Sequence, residues 1–122
     1  MQLAWIWGPA VAMMAAIFFV SSLPGAPHLP GDPDNFAGHF AAYAVLGALV
    51  LRAFARATWR GVTIPAGVRA WVVAVVYGAT DELHQLAVPN RYATVGDWVA
   101  DAIGAATGIF IVALVARRRP QQ

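Results

Sequence analysis

The acidic residues of this chain concentrate in one stretch, from 78 to 104, within a sequence that is otherwise largely apolar. Carboxylates and histidines in such numbers can hold a divalent cation, transfer protons or bind a polar headgroup. The candidate catalytic or ligand-binding residues, two of them from an earlier segment, are His39, Tyr43, Asp81, Glu82, Gln85, Arg91, Asp97 and Asp101. His84 is a candidate proton shuttle. If a divalent cation is the cofactor, its predicted ligands are His39, Glu82, Asp97 and Asp101.

Helical spacing places several of these side chains on shared faces. His39 and Tyr43 are four residues apart, and so are Asp97 and Asp101, which puts each pair on one side of a helix. An acid at the centre of a lipid-facing helix costs roughly 2.5–3.5 kcal/mol on insertion scales. The acids are therefore predicted to face inward and to converge on one pocket. Asp97 also fits a simpler role, a capping box with Thr94 at a helix start.

The composition is that of a membrane protein. Of the 122 residues, 60% are hydrophobic and 11% are charged, whereas a soluble domain averages about 45–50% apolar and about 25% charged residues. The sequence contains no cysteine, which excludes disulfide and thiolate chemistry. All eight basic residues are arginines spread over segment ends. They form no basic patch interleaved with aromatic residues, so no nucleic acid is expected as a partner.

Four apolar segments are available to position the polar residues, since about 17–25 residues cross a bilayer as a helix. The prediction is an all-α, polytopic membrane protein, a single domain of residues 1–122 that forms a four-transmembrane-helix bundle. Its helices are expected at about 3–23, 34–56, 64–86 and 96–117. The third segment is purely apolar only over Ala70–Ala79, so it must carry part of the polar block into the membrane or its interface. The first is expected to be a retained helix rather than a signal peptide, because it has no charged leader region.

Two glycines on the fourth segment suggest a packing face. Gly104 and Gly108 continue the face of Asp97 and Asp101 as a small-xxx-small pattern, which lets helices approach closely. Packing within the bundle is the preferred interpretation. Contact between copies of the chain is the alternative, which leaves a homo-oligomer open.

The arginines predict the orientation of the bundle. Seven of them flank the loop between the second and third segments or follow the fourth, at Arg52, Arg56, Arg60, Arg69, Arg117, Arg118 and Arg119. By the positive-inside rule these ends are cytoplasmic, and so are both termini. All six acids then fall on the other side with one arginine, which separates charges of about +7 and −5. The expected location is the cell membrane, crossed several times, with the polar site on the extracytoplasmic side.

The ordered set of polar residues resembles the VanZ-like family of small bacterial integral membrane proteins, which is named for a teicoplanin-resistance protein. The resemblance covers about Asp34 to Gly108 and is carried by "DNFAGHFAAYAVLG" and "DELHQLAVPNRYATVGDWVADAIGAATG". The matching positions are Asp34, His39, Tyr43, Asp81, Glu82, Gln85, Arg91, Asp97, Gly104 and Gly108. Two positions depart: Asn35 stands where Lys is usual and Asp101 where Asn is usual, which makes the site more anionic. The resemblance implies a membrane protein of the cell envelope, with glycopeptide resistance in a few members.

Three functional classes fit these residues. The first is an envelope protein that binds a membrane lipid headgroup, a lipid-linked cell-wall intermediate or a glycopeptide in an anionic pocket. The second is a metal-dependent intramembrane hydrolase or transferase that acts on a lipid-linked phosphate. The sequence has no H-E-x-x-H, G-x-S-x-G or P-loop motif, so spacing gives no support for zinc, and Mg²⁺ or Ca²⁺ is the plausible ion. The third is a cation- or proton-coupled carrier.

The negative charge of the pocket distinguishes anionic from cationic ligands. A bare pocket of carboxylates repels phosphate. A phosphate-bearing ligand therefore requires a metal, protonated acids or cationic histidine in the pocket, whereas a cationic ligand requires none of these.

Overall fold

A computed structural model of the chain describes residues 1–24, 36–90 and 93–120. Over these residues all regular secondary structure is helical, with four helices and no strand, which confirms the predicted all-α class. The helices are α1 (Gln2–Ser21), α2 (Phe36–Phe54), α3 (Ile64–Gln85) and α4 (Val95–Arg117). The predicted site residue Arg91 lies outside the described residues, as do Asp34 and Asn35.

Three of the helices, α1, α2 and α4, are long and apolar enough to cross a membrane. α3 has 22 residues, which is a sufficient length. Its apolar run is interrupted by Arg69 near its start and by Asp81 and Glu82 near its end. A fourth membrane span, and with it the complete four-span bundle, therefore remains a prediction for α3.

α1 stays continuous across an internal proline, Pro9. Proline has no N–H to donate to the carbonyl four residues earlier, which is that of Trp5. Arg52 on α2 donates to the Trp5 carbonyl at 3.0 Å and to the Ile6 carbonyl at 3.1 Å. Its guanidinium also lies 5.1 Å from the centre of the Trp5 ring. These contacts join the start of α1 to the end of α2, so the two helices are antiparallel.

α2 and α4 run parallel to each other and form the most extensive helix pair. Glycine makes their close approach possible. A Cβ on Gly104 would overlap the carbonyl oxygen of Phe40, and a Cβ on Gly108 would overlap that of Ala44. Both glycines thus lie in an internal seam between α2 and α4, in the position that the small-xxx-small pattern suggests.

Local signals set the helix ends. The Thr63 hydroxyl caps α3 by accepting a backbone N–H at 3.3 Å, and the Thr94 hydroxyl caps α4 in the same way at 3.0 Å. α2 ends at Phe54, before the predicted residue 56, because Arg56 and Ala57 have positive φ angles of 54° and 58°. A left-handed backbone cannot continue a right-handed helix.

The chain order gives the bundle two chemically different ends. The ends of α1 and α3 meet the starts of α2 and α4, and this end, named the acidic end, carries the described acids Asp81, Glu82, Asp97 and Asp101. The opposite end, named the arginine end, carries the described arginines Arg52, Arg56, Arg60, Arg69, Arg117, Arg118 and Arg119. The charge separation predicted from the sequence is thus a separation along the helix axes.

Candidate functional site

A buried polar cluster lies between α2, α3 and α4 at the acidic end. Its members, named the four-residue cluster, are His39, Asp81, Glu82 and Asp101, and none is more than 9% exposed. Each offers one nitrogen or oxygen atom, and these atoms all lie within 4.8 Å of one another. Side chains from three helices therefore meet in one place.

His39 and Asp101 make the shortest contact in the cluster. Nδ1 of His39 lies 2.8 Å from Oδ1 of Asp101 and 3.7 Å from Oε1 of Glu82. A carboxylate in this position fixes the orientation of an imidazole ring and stabilises a positive charge on it. One histidine carries at most one positive charge, so His39 alone does not balance three carboxylates.

Gly78 provides the space for Asp101, which is 0% exposed. A Cβ at position 78 would lie 3.0 Å from Oδ2 and 3.3 Å from Cβ of Asp101. Beside this contact, Nε1 of Trp98 donates to the Val75 carbonyl at 3.1 Å and holds α4 against α3. The sequence interpretation missed Gly78. The available signal was its spacing of four residues before Glu82, which puts both on one face of α3.

Tyr43 and Gln85 lie at the border of the cluster. The Tyr43 hydroxyl donates to Oδ2 of Asp81 at 3.3 Å, and its side chain is 1% exposed. Nε2 of Gln85 donates to the hydroxyl of Ser21 at 3.3 Å. Of these two predicted site residues, Tyr43 contacts the cluster directly, whereas Gln85 connects α3 to α1.

Asp97 is buried near the four-residue cluster, at 8% exposed, but it is not one of the possible metal ligands. Its N–H donates to the Thr94 hydroxyl at 3.0 Å, which is half of the predicted capping box. The N–H of Thr94, which a capping box would give to Asp97, donates to Oε2 of Glu82 at 3.3 Å. Glu82 thus connects α3 to the start of α4. Asp81, rather than the predicted Asp97, joins the group of possible metal ligands.

His84 contacts α1 rather than the cluster. Its Nε2 lies 2.8 Å from the hydroxyl of Ser22. Its ring stacks on Phe18 with 4.4 Å between the ring centres. These contacts hold the ends of α1 and α3 together, which is a structural role beside the predicted one in proton transfer.

Three buried oxygens of the cluster have no hydrogen-bond partner among the described residues. They are Oδ1 of Asp81, Oε1 of Glu82 and Oδ2 of Asp101, one from each carboxyl group. The great majority of buried polar atoms in proteins are paired, and an unpaired one costs about 1–3 kcal/mol. The cluster therefore presents three acceptors that a ligand can contact.

A cavity of about 160 Å³ lies beside the cluster, between α1, α2 and α3. Its polar lining includes His39, Asp81 and Gln85, and its apolar lining on α1 includes Met13 and Ile17. One polar wall and one apolar wall suit an amphiphilic ligand.

Comparison with known proteins identifies a family. A family model described as VanZ/LLP1 matches residues 6–116. The match includes all of α2 and α3, α4 up to residue 116, and every member of the four-residue cluster. No curated protein and no solved structure gives a significant match.

Proposed function

The chain belongs to the VanZ/LLP1 family, and we propose that it is a cell-membrane protein that binds the polar headgroup of a lipid or lipid-linked envelope intermediate. The cavity that joins the four-residue cluster to the apolar side of α1 supports this most directly. The headgroup would contact the polar wall at His39 and Asp81. The hydrocarbon chain would lie along α1, whose apolar side chains can contact it without a penalty in free energy.

The surface of α1 supports entry of such a ligand from the membrane. Val20 lines the cavity and is 50% exposed, so it lies at the cavity mouth. Its neighbours Phe18 and Phe19 are 53% and 65% exposed. An apolar opening on the outer face of a membrane helix allows a lipid to enter laterally from the bilayer and disfavours entry of a polar solute from water.

The size of the cavity favours a small headgroup over a glycopeptide. A volume of about 160 Å³ is below the roughly 300–1,000 Å³ typical of sites for drug-sized ligands. A headgroup of a few polar atoms fits, whereas a glycopeptide antibiotic would have to bind elsewhere on the protein.

We place the acidic end on the extracytoplasmic side, because the seven described arginines lie at the opposite end and cytoplasmic segments are the arginine-rich ones. Fluorescent-protein and alkaline-phosphatase reporters fused after Gln122 test this orientation. The fluorescent fusion should be bright and the phosphatase fusion inactive. An active phosphatase fusion would reverse the orientation and move the site to the cytoplasmic side.

Two matched substitutions of alanine by leucine, one inside the cavity and one outside it, test lipid binding. Ala42 lines the cavity, whereas its neighbour Ala41 is exposed outside it. Ala42→Leu should lower the lipid retained by the purified protein about tenfold, a change of about 1.4 kcal/mol, while Ala41→Leu retains it. Mass spectrometry of extracted lipids measures both. Equal lipid content in the two variants, or only bulk membrane lipids in the unsubstituted protein, would contradict the proposal.

A second candidate function, supported by the His39–Asp101 contact of 2.8 Å, is hydrolysis or transfer of a lipid-linked phosphate. A histidine oriented by a carboxylate is a recurrent general base, and this one lines the cavity. Phosphate release from a polyprenyl diphosphate by the purified protein, lost on His39→Gln, would favour this activity. Lipid binding without release in the presence of divalent cations would exclude it.

A further inference from the structure

We infer that His39, Asp81, Glu82 and Asp101 form a binding site for one divalent transition-metal ion at the acidic end of the bundle. The site does not depend on which headgroup the cavity accepts, because its ligand atoms all belong to the protein and lie within 4.8 Å of one another. It differs from the set expected from the sequence, since Asp81 takes the place of Asp97.

Charge balance is the first reason. Three carboxyl groups, each at most 7% exposed, surround a single histidine. The arginines of the described segments all lie at the arginine end. Burying like charges without compensation costs several kcal/mol per ion. As a metal ligand His39 is neutral, so one divalent ion offsets two of the three negative charges of the cluster.

The unpaired oxygens are the second and independent reason. Oδ1 of Asp81, Oε1 of Glu82 and Oδ2 of Asp101 have no hydrogen-bond partner among the described residues. A protonated carboxyl group could donate one hydrogen bond to a neighbouring carboxylate, which would pair the oxygens only two at a time. A single divalent cation would contact all three oxygens at once, so it would pair every acceptor and offset most of the charge.

The donor set points to the class of metal. Mg²⁺ and Ca²⁺ prefer sites made of oxygen ligands only, whereas imidazole nitrogen suits the later first-row ions. The His39 nitrogen favours Zn²⁺, and the three carboxylate oxygens also suit Mn²⁺. The ligand atoms lie within 4.8 Å of one another. Ligands on opposite sides of a metal with bonds of about 2.1 Å are nearly as far apart, so small side-chain rotations would bring all four atoms into bonding distance of one ion.

The test uses the full chain in detergent after treatment with a chelator, titrated with Zn²⁺ and separately with Mn²⁺. Calorimetry should give one ion per chain, and the metal should raise the unfolding temperature. Asp101→Asn and Glu82→Gln keep the side-chain size and remove one ligand charge, so each should weaken binding at least about 30-fold. Asp97→Asn is the matched control, an acid at the same end outside the cluster, and it should weaken binding much less than Asp101→Asn because it removes a nearby charge and no ligand.

The stability of the variants without metal distinguishes a metal site from a cluster that only supports the fold. Without metal, Asp101→Asn should be at least as stable as the unsubstituted protein, because it removes one of three buried like charges, yet metal should no longer stabilise it. If Asp101→Asn does not fold, Glu82→Gln alone decides. No binding by the unsubstituted chain would overturn the inference. Loss in Asp97→Asn as large as in Asp101→Asn would do the same, since it would show only diffuse attraction of cations.

Discussion

The two ends of the bundle differ in whether their charged side chains are buried or exposed. At the acidic end, all four described acids are buried, and Asp101 is 0% exposed. At the arginine end, every described arginine except Arg52 is exposed. Arginine has a long stem that lets its charge reach water or lipid headgroups. The short carboxylates of the acidic end are instead enclosed by the packing of α2, α3 and α4.

The contrast assigns different roles to the two ends. In the proposed orientation the exposed arginines keep their end on the cytoplasmic side, a role that needs no exact geometry. The exception, Arg52, is half-buried and replaces the hydrogen bond that Pro9 cannot make to the Trp5 carbonyl. Buried carboxylates cost stability unless they are paired, which is consistent with the binding site proposed at the acidic end.

The largest expected effect comes from removing His39, the nitrogen partner of Asp101 and Glu82 in the four-residue cluster. In metal-free protein, His39→Leu should lower the free energy of unfolding by about 3 kcal/mol, because it leaves Asp101 and Glu82 buried without their nitrogen partner. Arg69→Gln, at an exposed position of the arginine end, should change it by less than about 0.5 kcal/mol. Denaturant unfolding in detergent, with chelator present, measures both. Equal effects of the two substitutions would erase the difference between the ends.

A smaller effect is expected at the seam between α2 and α4. Gly108→Ala places a methyl group on the Ala44 carbonyl oxygen and should cost about 2 kcal/mol, a typical penalty for overpacking. The matched control is Gly8→Ala in α1, where nothing lies within 4 Å of an added Cβ. That change should be neutral or stabilise by about 0.5 kcal/mol, since alanine favours helix over glycine. Thermal unfolding of the two variants gives the comparison, and a neutral Gly108→Ala would show that α2 and α4 do not pack at this seam.

The smallest effect is expected at the edge of the cluster. The Tyr43–Asp81 hydrogen bond is long, at 3.3 Å, and hydrogen bonds within membrane proteins contribute about 0.6 kcal/mol on average. A double-mutant cycle of Tyr43→Phe and Asp81→Asn should give a coupling energy near about 0.6 kcal/mol. A coupling energy of zero would remove Tyr43 from the site, and one several times larger would make it a central member.

Much of this architecture follows from local patterns in the sequence. Apolar length predicts the helices, and spacing of three or four residues predicts that His39, Glu82 and Asp101 face inward. Spacing does not give the rotation of one helix relative to its neighbour. For that reason the sequence could not choose between Asp81 and Asp97 as the fourth member of the cluster.

Other features depend on contacts between distant residues. The support of the Trp5 carbonyl by Arg52 joins α1 to α2, and the space that Gly78 leaves for Asp101 joins α3 to α4. A single sequence shows an ordinary proline, arginine or glycine at these positions. The packing of the helices shows which distant residue each of these residues contacts.

The meeting of three helices at one buried site is most directly tested by crosslinking in native membranes. The chain has no cysteine of its own, so introduced pairs report without background. A short thiol-specific crosslinker should join His39→Cys to Asp101→Cys and His39→Cys to Glu82→Cys, and it should not join His39→Cys to Arg117→Cys at the arginine end. Failure of both cluster pairs, or equal crosslinking of the control pair, would contradict the site described for this protein.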